Sequence, residues 1–244
     1  MALGVLFLAA LWAGVQNALA GGGSFVTLPA LMFTGMDARA ANITSTIALF
    51  PAQIATALTG RTLVTGAAGL SFRSLVIISL GGGALGAVLL LVTPPRFFAY
   101  LVPWLVLFAT LVFGWGSFAP RRESHAHLSR CGAMAAQFAI SVYGGYFGGG
   151  IGFLMLAALT AAGLAMRNAG ATKNALAGVM NASAVVIFVF SPEVRWLQAG
   201  IAGAGAIAGG IAGGLVLHRL NERVLRAVIV LIGLSLTIGL FYRH

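Results

Sequence analysis

The amino-acid sequence predicts an all-α integral membrane protein of two inverted repeats, each a glycine-broken re-entrant helical hairpin followed by three transmembrane helices. Composition, the length of the apolar runs and a recurring order of landmarks carry that prediction. Of the 244 residues, 60% are hydrophobic and 7% are charged, and the mean hydropathy is +1.01. A chain this apolar cannot cover its surface in water, so its solvent is the lipid bilayer. The acidic residues Asp37, Glu123, Glu193 and Glu222 fall in hydropathy dips, as do nearly all the basic ones. The net charge of +10 is therefore a topology signal. It does not indicate a nucleic-acid partner, because no soluble stretch carries a clustered basic patch.

The elements follow in order. A hydrocarbon core of about 30 Å takes about 20 helical residues. Residues 40–58, 75–92, 97–115, 172–190, 197–217 and 224–241 each fit one crossing. Segments 3–33 and 131–164 do not, since as continuous helices of about 1.5 Å per residue they would reach about 45 to 50 Å. Glycines interrupt both, so each is expected to enter the membrane and return. The run 2–20 has no basic residues ahead of its apolar core and reads as a retained segment rather than a cleaved signal peptide. The first repeat covers 1–118, a cytoplasmic linker 119–130, and the second repeat 131–244.

The repeat rests on an offset of about 128 residues. It lays Gly21, Gly22, Gly23, Ser24 and Phe25 on the segment from Gly148 to Phe153, Arg39 on Arg167, and Thr44 on Thr172. At an offset of 127, Gly82, Gly83 and Gly86 fall on Gly209, Gly210 and Gly213. If the broken segments crossed once, the Lys and Arg residues would divide evenly between the two faces. If they are hairpins, one face gathers Arg61, Arg73, Arg121, Arg122, Arg130, Arg167, Lys173, Arg219, Arg223 and Arg226, and the other keeps Arg39, Arg96, Arg195 and Arg243. That bias favours inverted repeats with the 121–130 loop in the cytoplasm and both termini outside.

The candidate site lies at the hairpin tips. Consecutive glycines leave backbone N–H groups unpaired, which membrane depth tolerates only where the chain is buried in protein or lines a cavity. Gly21, Gly22, Gly23 and Ser24 form one candidate tip, and Gly148, Gly149 and Gly150 the other. Thr44, Ser45 and Thr46, with Thr172, Lys173 and Asn174, open the helix after each hairpin; such hydroxyls also commonly bond their own helix backbone. Gln53 and Asn181 carry amides into the middle of the same helices, where bonding between helices is the equal alternative. Lys173 either snorkels to the interface or, with Arg167 already supplying the loop charge, faces the second hairpin. Gly82, Gly86, Gly209 and Gly213 are assigned to close helix packing.

The spans carry no Asp or Glu, and His125, His127, His218 and His244 lie in loops or at span ends without ligand spacing. No catalytic residue, metal or cofactor is expected, and the lone Cys131 implies no disulfide.

The glycine run near the start of each half, the small polar segments 42–46 and 170–174, and the GGxxG helix later in each half resemble the TauE/SafE family of sulfite and organosulfonate exporters. The resemblance covers essentially the whole chain. It implies a secondary transporter exporting sulfite or related sulfur oxyanions such as sulfoacetate or thiosulfate across the bacterial inner membrane, by alternating access around a site between the tips. The residues alone say transporter or channel, and an embedded enzyme or accessory subunit of a sulfur-metabolism system stays as the rival from another class. Coupling ion, direction and homo-oligomerisation are left open.

Overall fold

A computed structural model of the chain describes residues 1–19, 22–118, 128–216 and 222–242. Gly21 and the loop basic residues Arg121 and Arg122 lie outside them. The described residues form α1 (Ala2–Leu19), α2 (Ser24–Phe33), α3 (Ala38–Thr59), α4 (Phe72–Val92), α5 (Pro95–Phe118), α6 (Arg130–Tyr146), α7 (Ile151–Ala161), α8 (Met166–Phe188), α9 (Trp196–Val216) and α10 (Glu222–Tyr242). Among the described residues, α4, α5 and α8 are long and apolar enough to cross a membrane by themselves. Aliphatic and aromatic side chains such as Ile77, Trp104 and Leu111 stand exposed on the surface, as lipid-facing residues do.

Each long apolar segment breaks at its glycines. The 18 residues of α1 and the 10 of α2 are separated at Gly22, whose φ is +87°. The 17 of α6 and the 11 of α7 are separated across 147–150, where Gly148 and Gly150 have φ of +82° and +73°. These left-handed conformations favour glycine strongly. At the outer ends, α2 stops at Gly35 and α7 at Gly163, both with φ +92°. The pairs Gly22 and Gly150, and Gly35 and Gly163, keep the offset of 128 that also separates Gln53 from Asn181. The left-handed glycines thus recur at the offset that the sequence suggested.

Cross-links fix the direction of each helix. At one end of the molecule, Arg39 at the start of α3 forms a two-pronged ion pair with Glu193, between α8 and α9, and donates to the carbonyls of Leu91 and Thr93 at the end of α4. At the other end, the loop after α3 meets the start of α8, where Asn168 Nδ2 donates to Leu63 O over 3.1 Å. Helices α3 and α8, equivalent in the repeat, therefore run in opposite directions. Leu128, just before α6, donates its N–H to Ala161 O at the end of α7 over 2.8 Å, so the second hairpin opens and closes at one end.

Contacts between the halves come in exchanged pairs. Helix α1 packs on α9 as α6 packs on α4, and α3 touches both α8 and α9 as α8 touches both α3 and α4. The GGxxG helices make this possible. A β-carbon on Gly86 would lie 2.1 Å from Val142 O of α6, and one on Gly209 would lie 1.8 Å from Leu11 O of α1.

Helix starts depart from the hydropathy reading. Helix α8 begins at Met166 rather than Thr172, because its first turns are polar but still helical. Helix α3 begins at Ala38, where the Asp37 carboxylate accepts from Arg39 N and Ala40 N at 3.0 Å each, a side-chain N-cap.

Candidate functional site

The two hairpin tips meet around a cavity of about 110 Å³, well above the ~10–15 Å³ that one water needs. Its wall comprises Asn17 of α1, Gly22, Gly23 and Ser24 of the first tip, Phe147, Gly148, Gly150, Ile151 and Gly152 of the second, Ser45, Thr46, Leu49, Ala52, Gln53 and Thr56 of α3, and Lys173, Asn174, Ala177 and Asn181 of α8. The α3 positions fall on one face of a 3.6-residue helix. Four of them, Ser45, Thr46, Leu49 and Gln53, stand at the offset of 128 from the four α8 positions. The cavity thus lies where the two halves face each other through equivalent residues.

The amides mark that meeting point directly. Asn181 Nδ2 donates to Gln53 Oε1 over 2.6 Å, joining matched residues of α3 and α8 while both still line the cavity. The interhelical bond and the cavity-lining position expected as alternatives are both realised.

Lys173 is partly buried in this wall, and a β-carbon placed on Gly152 would lie 3.6 Å from its Nζ. The ammonium therefore lies against the first turn of α7, the glycine-rich hairpin of its own half. It makes no ion pair, and no carboxylate lines the cavity among the described residues. Its repeat partner Ser45 is neutral and bonds Thr27 Oγ1 at 2.6 Å. The backbone of the site is two-fold; its charge is not.

Both short helices point their N-termini at the cavity without a side-chain cap. In the first tip, Asn17 Oδ1 takes the Gly23 N–H at 2.8 Å and Gln16 Nε2 donates to Gly22 O at 2.7 Å, so part of its donor set is satisfied internally. In the second, the N–H groups of Ile151 and Gly152 have no acceptor among the described residues. Unpaired N–H groups and the positive end of the helix dipole both attract anions.

Not all the expected residues converge. Thr44 and Thr172 are fully buried outside the cavity wall. Thr44 Oγ1 accepts from Arg195 N at 3.3 Å and Thr172 Oγ1 from Thr65 N at 3.1 Å, so each ties down the loop that follows the equivalent helix of the other half. Gly149 stands behind the wall, where a β-carbon would meet the Phe147 ring at 2.6 Å. Sequence reasoning passed over Asn17 and Thr56. Thr56 lies one turn beyond Gln53, a spacing that would have placed it on the same face, and Asn17 carries a primary amide in an otherwise apolar limb.

Comparison with known proteins identifies the family. Residues 6–240 match the family described as "Sulfite exporter TauE/SafE". The chain is 27% identical over 242 residues to "Probable membrane transporter protein ORF9" of Sinorhizobium sp., covering 98% of this chain and 92% of the relative. It is 25% identical to a "Probable membrane transporter protein" of Haemophilus influenzae, covering 98% and 94%, and 26% identical to "Probable membrane transporter protein YfcA" of Escherichia coli K12, covering 98% and 90%. No solved structure matches the chain. A match that runs from within the first hairpin to the last turns of α10 leaves neither half outside it: the chain belongs to the TauE/SafE family.

Proposed function

We propose that the chain is a secondary transporter that exports small sulfur-containing oxyanions, sulfite foremost, by alternating access of one central site. The observation that carries this reading is the cavity between the tips. Its wall brings together one ammonium, several amides and hydroxyls, and two helix N-termini, with no carboxylate among the described residues. An anion leaving water for the membrane interior faces a desolvation cost of many kcal/mol, and such a wall offsets it. The family description supplies the sulfur chemistry. The opposite courses of α3 and α8 support inverted repeats, a design that lets one half rock against the other around a fixed site. Gly22, Gly23, Ser24, Ser45, Thr46, Gln53, Gly148, Gly150, Lys173, Asn174 and Asn181 make up the proposed binding region, with Gly149 backing the second tip and Thr44 and Thr172 holding its supporting loops.

Purified protein in liposomes tests this. Saturable sulfite uptake with counterflow is expected; flux linear in concentration would make the protein a channel, and no flux would make it an accessory subunit.

We further propose that the end bearing Arg39 and Glu193 faces the periplasm of the bacterial inner membrane, along with both termini. The basis is the excess of Lys and Arg at the opposite end. Cys131 is exposed at that opposite end. In intact cells it should resist an impermeant thiol reagent, whereas Pro192→Cys in a Cys131→Ser background should react. The reverse pattern would invert the orientation.

A further inference from the structure

We propose, building on the oxyanion reading of the central cavity, that the site takes its ligand as a singly charged anion that still carries one proton. It would select hydrogensulfite-like monoanions against fully deprotonated dianions. Two independent features of the wall carry this.

The first is charge. Lys173 from α8 is the one ionisable side chain that lines the cavity among the described residues; α1, α2, α3, α6 and α7 contribute none. The repeat would have allowed a second cation at the equivalent position, but that position is Ser45, already hydrogen bonded to Thr27. A monoanion beside Lys173 leaves the buried site neutral. A dianion leaves one uncompensated negative charge in a low-dielectric setting, which is strongly unfavourable.

The second is an acceptor. The Asn181 and Gln53 amides share one hydrogen bond. Each amide offers one carbonyl oxygen and one NH₂, so whichever way the two are turned, the bond uses one carbonyl and leaves the other without a protein partner. In the structure the carbonyl without a partner among the described residues is Asn181 Oδ1, on a residue that borders the cavity. A fully deprotonated oxyanion presents only acceptors, so on filling the cavity it displaces water from this oxygen and leaves it unmatched, an unfavourable arrangement. A ligand that keeps one proton donates to it. Lys173, the N–H groups of Ile151 and Gly152 and the Ser24 hydroxyl are the donors that the same cavity offers to an anion's oxygens.

The test is equilibrium binding to the purified full-length protein, by calorimetry or thermal shift, with sodium sulfite and sodium selenite across the pH range that spans their second ionisations. Selenite holds its second proton to a higher pH than sulfite. Apparent affinity for total ligand should fall about tenfold per pH unit above that ionisation, the slope of one linked proton. The midpoint should sit higher for selenite than for sulfite, and sulfate, which carries no proton across the range, should fail to compete at equal concentration. A midpoint identical for the two ligands would assign the titration to the protein and overturn the proposal, as would affinity that rises with pH or effective competition by sulfate. Absence of binding by all three anions at every pH would instead overturn the oxyanion reading itself.

Discussion

Replacing Lys173 with alanine should weaken sulfite binding at least tenfold, while Arg167→Ala changes it less than about twofold, under about 0.4 kcal/mol. The two basic residues are close in sequence and far apart in setting. Arg167 is exposed at the start of α8, whereas Lys173 lies against Gly152 in the cavity wall. Two unit charges about 4 Å apart at an effective dielectric of about 20 attract by about 4 kcal/mol. Water in the cavity reduces that figure, and the tenfold loss, about 1.4 kcal/mol, is what survives a heavy discount. Binding measured on both purified variants decides the matter. Equal small losses would return Lys173 to an interfacial role and remove the one full charge from the site.

Gly86→Ala and Gly209→Ala should each destabilise the protein by about 3 kcal/mol, the upper part of the range for inserting a methyl group into a packed core. In both cases the new β-carbon meets backbone rather than a movable side chain: Val142 O and Tyr146 N for Gly86, and Leu11 O and Cα for Gly209. The helices would have to separate along the whole of the α4 and α6, or the α1 and α9, contact. Gly81→Ala is the matched control, since nothing lies within 4 Å of its added β-carbon and alanine is the better helix former by about 1 kcal/mol. Thermal unfolding in detergent should show loss in the first two and none in the third. Retained stability at Gly86 or Gly209 would mean that these interfaces are looser than the backbone distances imply.

The breaks were readable in the sequence because only glycine adopts the left-handed conformations at Gly22, Gly148 and Gly150 without strain, and that requirement leaves a visible run. The repeat was suggested by the glycine runs, by Arg39 with Arg167 and by Thr44 with Thr172; Gly35 and Gly163, which that reading did not use, share one conformation at the same offset. Lys173, Gln53 and Asn181 stood out because a charge or amide in an apolar span is costly and needs a use. The hydroxyls were not readable in this way. Thr44 and Ser45 are adjacent in sequence, yet one holds the loop at Arg195 and the other borders the cavity, a choice made by helix rotation that composition does not encode. Helix starts were missed at Met166 because hydropathy measures what lipid accepts, not where the backbone begins to coil.

Under the proposed transport function, the contrast between Ser45 and Lys173 would set how the carrier turns over. Lys173 lies in the early turns of α8, toward the end shared with Arg167 and Leu63, while Ser45 lies toward the end held by Arg39 and Glu193. An anion bound as proposed would therefore be drawn toward one mouth. A carrier with a symmetric pocket would half-saturate at the same concentration from either compartment; under the proposed function this one should meet its cargo with unequal affinity from the two sides, because a ligand biases two states by the difference in its interactions with them. Detailed balance still ties net flow to the gradients alone. In such a cycle the offset charge would shape the kinetics of each half and leave the thermodynamic direction untouched.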